Sequence, residues 1–118
     1  MINILDETTD SLVCIKISGK LTDVEYKAFI PRVESTIKEF GKIKFYIDII
    51  DLDGWEWRVA WDDFAFGIRH WSKFTKIAIV GQRRWERLAV WITNRINNAD
   101  VRFYDGNETT EALNWVQR

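Results

Sequence analysis

Apolar and polar residues alternate with a period of two in SLVCIKIS (11–18), KIKFYIDII (42–50) and DVRFYD (100–105), which predicts strands. In 42–50, Ile43, Phe45, Ile47 and Ile49 share one face, and Lys44, Tyr46, Asp48 and Ile50 share the other. KIAIV (76–80) is apolar on both sides and reads as a strand covered on both faces. INILD (2–6) joins 11–18 through polar ETTD as a β-hairpin.

A different period appears between these strands. Thr22 and Glu25 form a capping box, after which Tyr26, Phe29, Ile30, Val33, Ile37 and Phe40 recur at helical spacing up to Gly41. Pro31 lacks a backbone donor, which predicts a kink or restart in that helix. Helical patterns also cover 55–73, 83–96 and, beyond a cap at Asn107, ETTEALNWVQ. Strands alternating with helices require parallel crossovers after the first hairpin. Lys16, Ser18, Lys44, Asp48 and Arg102 fall on the second faces of their strands. The chain is therefore expected to be a single α/β domain over 1–118. Its mixed five-stranded sheet opens with an antiparallel hairpin, and about four helices lie mainly on one face.

Composition narrows the classes. The 118 residues are 47% apolar and 30% charged, as a globular domain requires, and the formal charge of −1 gives no global field to recruit nucleic acid. The lone Cys14 excludes an intrachain disulfide and a cysteine-based zinc site; its place in an alternating strand predicts a buried thiol. The opening MINILDETTD lacks a basic segment and does not read as a signal peptide. The longest apolar run is LAVWI, 88–92, well short of a membrane span. A cytoplasmic location is expected, with peripheral membrane contact as an extension.

The stretch from Asp51 to Trp71, DLDGWEWRVAWDDFAFGIRHW, holds four of the seven tryptophans. On a helix of ~100° per residue, Trp61, Phe64, Ile68 and Trp71 fall within about 40° of Trp57 and form a core stripe. Trp55, Val59 and Phe66 project from the opposite side, among Asp62, Asp63, Arg69, His70 and Lys73. Two readings stay open for them: packing on a neighbouring helix, or an exposed apolar patch rimmed by charge that marks an interaction surface. In 83–96 the core stripe is Trp85, Leu88, Ala89, Ile92 and Ile96; Trp91 lies off it, beside Arg84 and Arg95. Such a group suits an anionic headgroup or ligand carboxylate, or else a solvated cation–π face. Asp48, Asp51 and Asp53 crowd the end of the third long strand, where open α/β sheets often bind ligands. Asp53-x-x-Glu56 reads instead as a helix cap. No P-loop, dinucleotide fingerprint or nucleophile elbow occurs, so neither catalytic residue, metal nor cofactor is assigned.

The words GKLTDVEY (19–26), GKIKFYIDI (41–49), DGWEW (53–57), AWDDFAFGIRHW (60–71), KIAIVGQRRW (76–85), ADVRFYD (99–105) and EALNW (111–115) run almost end to end, in order. Together they resemble the SpoIIAA-like proteins of the STAS fold group. The resemblance implies helices packed on a mixed sheet and a bacterial, non-enzymatic regulatory or binding domain. It also implies membrane association and binding of a small amphiphilic or lipid-like ligand. In the anti-sigma-antagonist branch, a phosphorylated serine opens the helix after the third strand. Here Asp53 and Gly54 stand at that switch-loop position, and 50–57 contains no Ser or Thr. The expected ligand or partner surface is Trp55, Val59, Phe66, His70, Arg84, Trp91 and Arg95. The alternative is a protein-interaction domain, a homodimer or an anti-anti-sigma type, without a phosphoserine switch. Nucleic acid is not an expected partner.

Overall fold

The computed structural model describes residues 1–55, 71–94 and 99–118, with the side chains of Trp55, Trp71 and Ile92 outside that description. Seven strands and three α-helices occur among the described residues. They are β1 (Ile2–Ile4), β2 (Leu12–Ile17), β3 (Gly19–Leu21), α1 (Asp23–Phe40), β4 (Ile43–Ile49), β5 (Leu52–Trp55), β6 (Phe74–Gly81), α2 (Glu86–Thr93), β7 (Asp100–Asp105) and α3 (Thr109–Gln117). Single 3₁₀ turns, Trp71–Lys73 and Arg83–Trp85, precede β6 and α2.

The main sheet has the order β1-β2-β4-β6-β7. β1 and β2 pair antiparallel, with Ile2 opposite Ile17, and every other pair in this sheet is parallel. This is the mixed five-stranded sheet the alternation predicts. The expected helix over 55–73 lies largely on residues outside the description; its first residue, Trp55, belongs to β5.

α1 begins where the capping box places it. The Thr22 hydroxyl accepts from the Glu25 N–H at 3.2 Å and donates to the Glu25 carboxylate at 2.9 Å. The N-terminal ammonium and the Thr22 hydroxyl hold that carboxyl below its ordinary range. α1 runs through Pro31 without a restart, since its buried Val33 and Thr36 hold the second half to the sheet. It ends at Gly41, whose left-handed φ of 74° lets its N–H reach the Ile37 carbonyl at 2.7 Å. At the other end of the chain the cap differs from expectation. Glu108, not Asn107, precedes α3, and its carboxylate accepts the Asp105 N–H at 2.8 Å.

The core has two layers. Beneath α1 and α2, Val13, Ile15, Phe45, Ile49, Ile77 and Ile79 pack with Val33, Trp85 and Ala89. Phe45 stacks on Phe74 at 5.7 Å and meets Phe29 of α1 at 6.0 Å. On the opposite face Leu12, Cys14, Tyr46, Ala78 and Val80 pack under Ala112, Trp115 and Val116 of α3. β6 is buried on both faces, as its doubly apolar sequence requires. Cys14 is fully buried; burial and the nearby Glu7 push its thiol up to about 11.

Candidate functional site

The parallel strands end together near Ile49, Gly81 and Asp105, and the segments leaving them make the edge where open α/β sheets bind ligands. Side chains tie this edge down. Asp48, nearly buried, turns back so that its carboxylate accepts the Ile50 N–H at 3.0 Å. Asp51 pairs with Lys16 at 3.0 Å. That hydrogen bond, with the charges of Asp48 and Asp51, holds the Lys16 ammonium above its ordinary value. Gln82 donates to the Ile50 carbonyl at 2.8 Å. The Leu52 carbonyl accepts twice, from Arg84 at 3.1 Å and from the Trp85 indole at 3.3 Å. Arg83 bridges Glu86 and Asp105 at 3.0 and 2.9 Å. The β4–β5 connection is thus fastened to the start of α2 by three side chains that donate to backbone carbonyls.

Several sequence expectations meet this geometry directly. Asp53 and Gly54 lie in a strand rather than in a loop, and Glu56, the other half of the expected cap, lies outside the described residues. That strand, β5, pairs in parallel with β3 as a separate two-stranded ribbon, Lys20 opposite Gly54 and Leu21 opposite Trp55. Gly54 pairs with a strand more than thirty residues away, and Asp53 falls at the register shift beside it, which a local motif cannot anticipate. Asp53 remains exposed. Arg84 is exposed, and its guanidinium donates to the Leu52 carbonyl and lies 4.8 Å from the Trp85 ring centroid. Trp91 is half-buried and packs against the core of the α1–α2 face. Val59, Phe66, His70 and Arg95 lie outside the described residues, as does the Trp55 side chain.

The three aspartates do not form a metal centre: Asp48 serves a turn, Asp51 serves Lys16, and no acidic, histidine or cysteine group among the described residues could hold a metal ion. None of these described helices is long and apolar enough to cross a membrane. What the edge does present is the outer side of α2. Arg87 is exposed there and Val90 is 57% exposed, and Arg83 and Arg84 of the preceding 3₁₀ turn are exposed beside them. Sequence reasoning missed Gln82 and Trp85 as fasteners. Their partners are carbonyls 32 and 33 residues away, which leave no mark in a local pattern.

The comparisons with known proteins agree with this architecture. A crystal structure of an uncharacterised protein from Shewanella loihica PV-4, described as having a SpoIIAA-like fold, superposes with a TM-score of 0.76 at 30% identity. The match covers 98% of this chain and 92% of that one. No curated protein matches the sequence. The SpoIIAA-like family matches residues 12–117, nearly the whole chain, and the chain belongs to that family.

Proposed function

We propose that this domain is a non-catalytic binding module whose outer α2 surface meets a small amphiphilic, lipid-like ligand or an anionic membrane surface. Family membership supports a regulatory or interaction module. The observation that carries the finer reading is Val90, a large apolar side chain 57% exposed on the helix that also exposes Arg87 three residues away. Arginine stems lie along apolar surface while their heads reach anionic groups, so this pairing suits a headgroup boundary. Trp55, Val59, Phe66 and His70 extend the proposal from the sequence.

Cosedimentation with phosphatidylglycerol-containing vesicles tests it. The protein should pellet with these vesicles and not with pure phosphatidylcholine. Arg87→Glu with Val90→Ser should abolish pelleting, and Phe66→Ala should weaken it. Unchanged pelleting in the α2 variant ends the proposal for this surface.

A second reading rests on Asp53. It is exposed on β5, and the resemblance sets it at the switch-loop position, where its carboxylate would supply a permanent charge without a phosphoserine. A homodimer or an anti-anti-sigma type partner would use that ribbon. Light scattering across concentrations, repeated with Asp53→Lys, separates this reading from the first.

A further inference from the structure

At the opposite end of the sheet, on the face that carries α3, four cations gather. Lys44 and Lys76 are direct neighbours in the β4–β6 register. Arg102 lies on β7, two residues beyond Asp100, the register partner of Lys76, so strand alternation puts all three cations on one face. Two of them, Lys76 and Arg102, close on Trp115. The Lys76 ammonium donates to the Trp115 carbonyl at 3.1 Å and stands 5.1 Å from the ring centroid, while the Arg102 guanidinium stands 4.6 Å from it. Arg118 follows α3 directly and acts on Lys76 by its charge. Partial burial, then Lys44 and Arg118, lower the Lys76 ammonium from its ordinary value, and Arg102 adds to them while Asp100 offsets part of the repulsion.

A helix C-terminus attracts cations, and the Lys76 bond to Trp115 is such a contact. It does not account for the rest. Four positive charges face Asp100, 3.6 Å from Arg102, and roughly half a negative charge at the helix end. The surplus of about 2.5 charges suits a multiply charged anion such as a phosphate, which carries about −1.5 to −2 near neutrality. Lys44 is half-buried, and its ammonium has no hydrogen-bonding or ionic partner among the described residues, while its backbone N–H donates to the Ser11 carbonyl. A chain of net charge −1 does not concentrate cations in one corner by composition alone. We propose that Lys44, Lys76, Arg102 and Arg118 form a binding site for a phosphate group, built against Trp115 on the sheet face opposite α1 and α2. The phosphate is either free or carried by a lipid headgroup. The site shares no residue with the α2 surface and stands whether or not that surface binds vesicles.

The test is a nitrogen-15 NMR titration with inorganic phosphate at fixed ionic strength, against chloride. The amides of Lys44, Lys76 and Arg102 and the Trp115 indole should shift saturably, with half-saturation in the millimolar range or below. Lys44→Gln removes a cation that holds no other group, so it should keep the folded spectrum and weaken binding about fivefold. Arg87→Glu with Val90→Ser should titrate as the unmodified protein does. Vesicles containing phosphatidic acid form the second arm: shifts at these same amides assign the phosphate to a lipid, and shifts with inorganic phosphate alone assign it to a soluble ligand. No saturable shift in either arm, an undiminished response in Lys44→Gln, or equally tight binding of polyglutamate overturns the phosphate assignment.

Discussion

On one face of the sheet, Ile15, Phe45, Ile77 and Ile79 stand beneath α1 and α2; on the other, Cys14, Tyr46, Ala78 and Val80 stand beneath α3, with Lys16, Lys44, Lys76 and Arg102 beside them. The first face is apolar along the whole length of β4, from Ile43 to Ile49. The second is divided. α3 has nine residues and covers only a strip across β6, β4 and β7, so the strand residues beyond it must be charged or paired. Charge is thereby confined to the two ends of the second face. At one end Lys16, Asp48 and Asp51 satisfy one another or the backbone. At the other, cations exceed carboxylates. A sheet with a single small helix on one face is thus also a way to hold polar groups at fixed positions.

The sharpest way to break this comparison is to remove an aromatic from each face. Phe45→Ala empties a stacked position between α1 and β6, and Trp115→Ala removes the side chain that seats α3 and orders Lys76 and Arg102. Each should cost about 3–5 kcal/mol in urea unfolding. A Trp115→Ala cost under about 1 kcal/mol would show that α3 is an accessory cover and that the first face alone carries the fold.

The two faces also differ in what the sequence discloses. The alternation of Ile43, Phe45, Ile47 and Ile49 is enough to define the first face, because burial there depends only on the strand's own period. The doubly apolar KIAIV likewise announced an interior strand buried on both faces, and Cys14 its own burial. β5 was not legible. Leu52–Trp55 looks locally like the approach to a helix cap, and only the arrival of Gly19–Leu21 alongside makes it a strand. The partial burial of Trp91 was not legible for a related reason. A helical wheel gives an angle, while burial depends on how far β7 and its neighbours extend around the helix. The cationic corner was half legible: alternation put Lys44 and Arg102 on second faces, but the place of α3, which joins them to Lys76 and Arg118, follows from tertiary packing. Most of the expected ligand surface, Val59, Phe66, His70 and Arg95, lies outside the described residues.

The second face carries a pH signature. The Cys14 thiol is pushed up to about 11, by burial first and Glu7 second, and the Tyr46 phenol up to about 12, by burial and then Asp48. Both are acids kept neutral by the fold. The native state therefore retains protons that the unfolded chain releases above pH 9, and the unfolding free energy falls as pH rises. Stability from these groups is complete below about pH 9 and is lost through about pH 11 to 12. Urea midpoints at pH 8 to 11 should decline, and Cys14→Val should flatten the first part of that decline. Identical slopes in the variant would show that the thiol is not held by the fold.

The smallest expected effect bears on the paired end of the second face. Lys16 and Asp51 are partly exposed, with side-chain exposures of 36% and 60% at a separation of 3.0 Å. A double-mutant cycle with Lys16→Met and Asp51→Asn should therefore give a coupling of only about 0.2–1 kcal/mol, reduced further in high salt. Its value as a measurement lies in where the coupling is lost rather than in its size. The pair draws the β4–β5 connection toward β2, while Gln82, Arg84 and Trp85 hold the same connection from the α2 side. If those backbone contacts carry the edge, breaking the ion pair leaves amide exchange at Leu52 and Gly54 unchanged, and Gln82→Ala accelerates it. The reverse ranking would make the exposed ion pair the true fastener, and the Asp53 ribbon would then loosen with salt, as a surface meeting a charged partner would require.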